Sequence, residues 1–210
     1  MHVRPLSPDL LVEELADRLA GTLPGGHPRV AFDGAPAVRP DALADALIAP
    51  LRLRGRPAVR VSTEDFLRPA SVRLESGRTN PDAFYAAWFD EAGLRREVLD
   101  PAGPGGSGRI VRRLWDADRD RAARSPYEPL PPRAVLLVSG PLLLGAGLPF
   151  DVTVHLAVSA AALARRTAAE QAWTLPAYAR YAAEVDPAAF ADVVLRVDDP
   201  RRPALVVGPG

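Results

Sequence analysis

Leucines at four-residue spacing mark the first element. Leu11, Leu15 and Leu19 share one face of a helix expected over residues 8–20, with Ser7 as its cap and Pro8 near its first turn. A Gly/Pro turn follows over residues 22–27. Val30, Ala31 and Phe32 read as the end of a buried strand, broken by Asp33-Gly34. Pro40-Asp41 opens a second helix carrying Leu43, Leu47 and Leu51, expected to end near Ala49 because Pro50 stops or kinks it. Residues 51–57 form a basic connection, and the β-branched run 58–62 reads as a second strand followed directly by Thr63-Glu64-Asp65-Phe66.

Residues 67–133 are the least regular third. They predict a helix over 92–99, a glycine loop over 101–109, a strand over 110–115, a densely charged stretch over 116–124 and a proline-rich one over 126–132. Periodicity then returns. AVLLV at 134–138 is the clearest buried strand and ends at Ser139-Gly140. Val152, Val154, Leu156 and Val158 alternate with Asp151, Thr153 and His155, the period of a strand. Ser159 caps a helix with Leu163, Arg165 and Arg166; a helix over 175–185 and a final strand over 193–197 complete the chain. Strands alternating with helices imply an α/β fold, a three-layer open, mostly parallel sheet flanked by helices, whose ligands bind beyond the strands' carboxyl ends. With no internal repeat, residues 1–210 read as one domain with an added N-terminal helix.

A strand, a tight loop and a helix start near residue 30 form the layout of a phosphate-binding loop. Counted from Gly34 in G-x-x-x-x-G-K-[ST], the second Gly falls on Arg39, the Lys on Pro40 and the Ser/Thr on Asp41. Pro36 and Pro40 each remove a backbone donor. Asp41 sets a negative charge at a helix start, where it satisfies the helix dipole and repels phosphate, although it can also touch a metal. The loop therefore reads either as a plainly capped helix or as a phosphate site in which Arg39 grips the anion bidentately. Ser139 is a second departure, since phosphate-loop proteins carry an acidic residue for magnesium at the end of such a strand.

Composition narrows the chemistry. Acidic and basic residues balance at 26 each, which argues against a general nucleic-acid or anionic-membrane binder. The chain has no lysine, so none elsewhere replaces the missing one and Schiff-base chemistry is excluded. It has no cysteine, which removes disulfides, thiol catalysis and cysteine-ligated zinc. His2, His27 and His155 are scattered, and no metal-ligand spacing emerges. Without a long apolar run at its start, the chain is expected to be cytoplasmic, with no membrane span.

Several residues are candidates for a site. Asp65 follows a strand end, where a carboxylate can accept a proton from a substrate hydroxyl; Glu64 competes for that role, and a turn position is the alternative for both. Gly103 to Arg109 combines backbone freedom with a cation for an anion, or is a flexible connection. Phe84, Tyr85 and Trp88 stack on a base or pack a satellite core, with packing favoured for at least two. Trp115-Asp116 is the better base-and-sugar pair, and His155 reads as a packed or hydrogen-bonded sheet residue.

The order of pieces resembles the uridine kinase-like proteins of the P-loop nucleoside kinase group, especially the bacterial form with an added N-terminal helix. The resemblance covers about residues 8–207. It rests on FDG at 32–34, EDF at 64–66, RTNPDAFY at 78–85, LDPAGPGGSGR at 99–109, LLVSG at 136–140 and ADVVLRVDD at 191–199. It implies transfer of the ATP γ-phosphate to a nucleoside 5′-hydroxyl with magnesium. Asp65 matches the family's base. Gly34, Arg39 and Asp41 stand in its phosphate loop, and Trp115-Asp116 resembles its nucleoside-contacting aromatic-Asp step. Arg109 joins these in substrate binding, and Arg165 or Arg166 resembles a lid arginine over the phosphates. The Lys, the Ser/Thr and the late acidic residue are missing. Three functions remain open: a nucleoside kinase with Arg39 in place of lysine, a kinase-derived regulatory protein binding a nucleoside or nucleotide without turnover, or a structural partner of an active relative. Assembly into a homo-oligomer is also open.

Overall fold

The computed structural model describes residues 2–22 and 26–207. The helix α1 (Pro8–Thr22) starts where expected, with Leu10 N donating to Ser7 Oγ at 3.2 Å, and it buries Leu11, Leu15 and Leu19. Part of the expected Gly/Pro turn at 22–27 lies outside the described residues.

A seven-stranded sheet forms the middle layer. It contains β1 (His2–Pro5), β2 (Arg29–Asp33), β3 (Ala58–Ser62), β8 (Val135–Gly140), β9 (Val152–Ala157), β10 (Val193–Arg196) and β11 (Ala204–Val207). Their order is β1-β11-β10-β9-β2-β8-β3. The five from β10 to β3 run parallel, while β11 pairs antiparallel with β10 and β1. This is the mostly parallel sheet that the alternation of elements predicts, extended by two short antiparallel edge strands that carry too few residues to show a period.

Strand alternation divides the core in two. Val30, Phe32, Leu137, Val154, Leu156 and Leu195 face α1 and the helix α2 (Pro40–Leu53). Ala31, Leu136 and Val138 face the other way, onto Leu99, Leu142, Leu143 and Tyr181. Because β2 and β8 are covered on both faces, every residue in them is buried, which explains their unbroken apolar runs.

Between β3 and β8 lie the helices α3 (Ala70–Arg73), α4 (Pro81–Ala87), α5 (Glu91–Leu94) and α6 (Asp100–Ala102), and two small antiparallel ribbons. One ribbon pairs β4 (Arg109–Val111) with β7 (Tyr127–Pro129); the other pairs β5 (Trp115–Asp116) with β6 (Arg121–Ala122). After β9 come α7 (Ala160–Arg166), α8 (Leu175–Glu184) and α9 (Pro187–Phe190). Ser159 caps α7 as expected, its Oγ accepting from Ala162 N at 3.3 Å.

Three expectations need correction. The second helix does not stop at Ala49; it continues through Pro50 to Leu53. The missing proline N–H falls in the last turn and costs one ladder bond. Leu51 is completely buried there, and both Arg54 N and Arg54 Nη1 donate to Pro50 O. The strand expected over 110–115 is two short strands. The chain turns at Arg112-Arg113, and Leu114 N donates to Asp65 O at 2.9 Å. The helix over 92–99 is present but irregular, with a π turn at Arg95–Leu99 between α5 and α6.

Candidate functional site

At the carboxyl end of β2 the chain turns at Gly34, whose N–H donates to Gly140 O at 3.1 Å. A β-carbon on Gly34 would lie 2.9 Å from Val38 Cγ2 and 3.1 Å from Leu156 Cβ, because Val38 folds back over it. Pro36–Val38 makes one 3₁₀ turn, and Arg39 adopts the left-handed conformation (φ 57°, ψ 56°) just before α2. The loop's amides turn inward. Val38 N donates to Ala35 O, Arg39 N to Pro36 O, and Ala42 N and Leu43 N to Arg39 O. Pro36 and Pro40 have no N–H. A phosphate cradle needs several such donors aimed at one point, and here those of Val38, Arg39 and Ala42 are already directed at carbonyls of the loop.

The loop's mouth is a cavity of about 260 Å³ lined by Arg39, Asp41, Asp45, Ser62, Glu64 and Gly140, among others. Arg60 reaches into this corner from β3. Its Nε donates to Asp45 Oδ1 at 2.6 Å, while Nη1 stands 3.7 Å from Asp41 Oδ1 and donates to Ser139 Oγ at 3.5 Å. Asp41 and Ser139 occupy the two positions where a phosphate-loop protein places its magnesium ligands; the guanidinium bonds Ser139 and faces Asp41, whose Oδ1 has no hydrogen-bond partner. Among the described residues no group of three His, Cys, Asp or Glu side chains is arranged to hold a metal. Magnesium does not fit this corner as built.

Beside the mouth opens a cleft of about 490 Å³, walled by Phe84, Trp88, Phe89, Trp173 and Tyr178. Phe84 is the hub of this aromatic wall, with ring centroids 5.6–5.8 Å from Trp88, Phe89, Trp173 and Tyr178. Glu64, Gln171, Thr167 and Arg166 supply polar groups. Glu64 lines both the cleft and the mouth. Partial burial pushes its carboxyl above the ordinary value, Asp41 and Asp65 add to the shift, and Arg60 opposes it. The 3₁₀ turn Thr63–Phe66 directly after β3 fixes its position, with Glu64 N donating to Ser62 Oγ at 3.3 Å.

The other sequence candidates separate. Asp65, adjacent to Glu64, pairs with Arg113 at 3.2 Å and is absent from the cleft's lining. Burial raises its carboxyl's pKa, while Arg113 and Arg60 pull it down. Trp115 and Asp116 stand near the cleft without lining it. Trp115 Nε1 donates to Asp120 Oδ1 at 3.1 Å, and Asp116 is held by Arg113 and Arg119; the next residue, Ala117, lines the cleft. Arg166 lines the cleft, anchored by a 2.7 Å bond from Nη1 to Val197 O, and Arg165 does not. Phe84, Tyr85 and Trp88 all pack in one hydrophobic cluster, and Tyr85 also carries the Arg180 guanidinium 4.3 Å above its ring.

The glycine stretch is not brought to the cleft. A β-carbon on Gly103 would lie 2.9 Å from Arg29 Nη1, and Arg29 begins β2, so the loop sits at the opposite, amino end of the strands. Gly106 has Pro101 O 2.3 Å from where its β-carbon would be. The glycines permit tight packing under the sheet. Arg109 donates through Nη2 to Tyr127 O within its ribbon.

Two features escape the sequence patterns. Arg60 is one; the available signal was a lone arginine in an apolar strand, with Asp41 and Asp45 one helical turn apart to receive it. The other is Asp33. It is completely buried and accepts from Leu143 N at 2.9 Å, and it pairs with His155 Nδ1 at 2.7 Å across β2 and β9. Tyr181 joins this cluster through Leu144 N, which donates to its hydroxyl at 2.9 Å. Asp33 and His155 floor a second, largely apolar cavity of about 460 Å³ between the sheet, α7 and α8, and Tyr178 belongs to its wall as well as to the cleft's.

No protein-family model and no curated protein matches this sequence at a significant level. Solved structures do match. A possible uridine kinase from Bacillus stearothermophilus superposes with a TM-score of 0.71 at 17% identity, over 87% of this chain and 96% of that one. A protein assigned as a fructose transport system kinase from Silicibacter sp. TM1040 gives 0.57 at 25% identity, over 87% and 91%. The YGR205w protein gives 0.59 at 12% identity, over 97% and 100%. These neighbours are a uridine kinase-like protein and related P-loop kinases. Strand order, loop position and flanking helices together give this chain the fold of the P-loop kinases.

Proposed function

We propose that this chain is a kinase-derived protein that binds a nucleoside-sized ligand in its aromatic cleft and no longer holds ATP in its phosphate loop. One observation carries the reading: the Val38, Arg39 and Ala42 amides donate inside the loop and Pro36 and Pro40 have no N–H, beside a cleft of about 490 Å³ that stays open. That volume lies in the range of small-molecule sites. The tryptophans offer a face for a planar base, and Gln171, Glu64 and Thr167 offer polar groups for its edge and sugar. The neighbours' names allow a nucleoside or a sugar as ligand, and the aromatic wall favours the nucleoside. Such a role is regulatory, reporting the ligand without consuming it.

Isothermal titration of the purified protein tests this. Uridine is expected to bind, and Trp88→Ala or Trp173→Ala to weaken binding about tenfold, some 1.4 kcal/mol. ATP is expected to show no magnesium-dependent binding. Failure of any nucleoside to bind, or tight magnesium-dependent ATP binding, would overturn the reading.

A phosphotransferase reading is favoured by one feature. Glu64 lies between cleft and mouth with its carboxyl raised above the ordinary value, where a base would meet an acceptor hydroxyl. Turnover of ATP with a nucleoside that is abolished by Glu64→Gln would establish that reading instead.

A further inference from the structure

The motif that phosphate-loop proteins use for magnesium joins a hydroxyl at the helix start to an acid at the end of the neighbouring strand. In this chain the two chemistries have changed places. The carboxylate is at the helix start, on Asp41, and the hydroxyl is at the strand end, on Ser139. An exchange of that kind preserves the inventory of oxygen ligands, so the residue types alone do not exclude a metal.

The third participant does. β3 pairs with β8 in register, Ser62 opposite Ser139 and Arg60 opposite Leu137. Alternation along β3 sends Val61 to one core and turns Arg60 towards α2, the side on which Leu137 also packs. On α2, Asp41 and Asp45 are four residues apart and present their carboxylates to the same strand. The guanidinium therefore lands between the helix start and the strand end. It bonds Asp45 at 2.6 Å, faces Asp41 at 3.7 Å and reaches Ser139 Oγ, which is completely buried, at 3.5 Å.

We propose that the Arg60 guanidinium is a built-in cation that takes the place of the divalent metal between α2 and the end of β8. An arginine stays charged at every physiological pH, so one positive charge stands permanently against Asp41 and Asp45 without dependence on metal supply. A divalent cation entering the same corner would meet a positive charge already bonded to Asp45 and Ser139 and 3.7 Å from Asp41. The bond from Nε to Asp45 also ties α2 to β3. Ligand binding by this protein is accordingly independent of magnesium. This assignment concerns the mouth alone and stands whether or not the aromatic cleft takes a nucleoside.

Manganese alone is the probe, followed by calorimetry and by the spin-resonance signal of free Mn²⁺. Wild-type protein is expected to show the same melting temperature in EDTA and in Mn²⁺. Arg60→Gln is expected to bind Mn²⁺ at least about tenfold more tightly than wild type, and Asp41→Asn added to Arg60→Gln to reverse the gain. Equal Mn²⁺ affinity of wild type and Arg60→Gln overturns the assignment. If Arg60→Gln does not fold, the wild-type melts decide alone: a melting temperature raised by Mn²⁺ marks a metal site beside Arg60 and overturns it, and an unchanged one supports it.

Discussion

Arg39 holds a backbone conformation with φ 57° and ψ 56°, in which a β-carbon crowds the following carbonyl. It stands where the phosphate-loop motif has its second glycine, and its backbone has a shape suited to glycine. Removing the β-carbon relieves about 1–2 kcal/mol of strain and returns part of it as added freedom in the unfolded chain. Arg39→Gly is expected to stabilise the protein by about 0.5–1 kcal/mol in a denaturant titration; a loss of stability would show that the arginine side chain outweighs its strain. Glu64 yields a pH dependence. Burial, then Asp41 and Asp65, raise its folded-state pKa above the unfolded value near about 4.3, so the folded protein holds the proton longer. Stability then falls as pH climbs from the ordinary carboxylate range through the raised value, and levels off above it. Glu64→Gln is expected to melt higher than wild type at about pH 7, with the gap closing as pH drops below about 4. A gap that stays constant across that range would mean the carboxyl is not perturbed.

The elements differ in how plainly the sequence announces them. Where an element spans three turns or five fully buried strand residues, its period is long enough to read: α1, β2, α2 and β8 all stand where their apolar positions predict. Shorter pieces have no period. Strands β5 and β6 have two residues each, and the irregular helices between Ala70 and Ala102 are set by packing on Phe66, Phe84 and Leu99 rather than by their own spacing. The site divides along the same line. Gly34 and Asp41 could be placed by counting along a motif. The relation of Arg60 to Asp41, Asp45 and Ser139 needs three elements in register, and no single stretch of sequence contains it. The glycine stretch at 103–108 shows the opposite case: a local pattern that resembles an anion loop lies away from the cleft, because only the fold decides which end of the sheet it reaches.

At the scale of the whole molecule, the sheet sorts its contents by end and by face. Its carboxyl end carries the loop after β2, the aromatic cleft and the Asp33–His155 pair, and its amino end carries the glycine loop and the bidentate Arg29–Asp151 pair. Among the described residues no helix is long and apolar enough to cross a membrane. The site end and the edge formed by β1 and β11 lie in different parts of the sheet, β1 and β3 being its two outermost strands. That edge has a mechanical consequence. His2 lies opposite Val207 and Pro5 opposite Ala204, so the first and last described residues are neighbours on antiparallel strands. Force applied by drawing those two points apart acts across the strands and loads their hydrogen bonds one after another, like a zip opened from its end. In a single-molecule pulling experiment, β1 is expected to peel from β11 at low force before the parallel strands yield. A handle at residue 5 in place of residue 2 would set the two pulling points at opposite ends of the ladder and shear its bonds together.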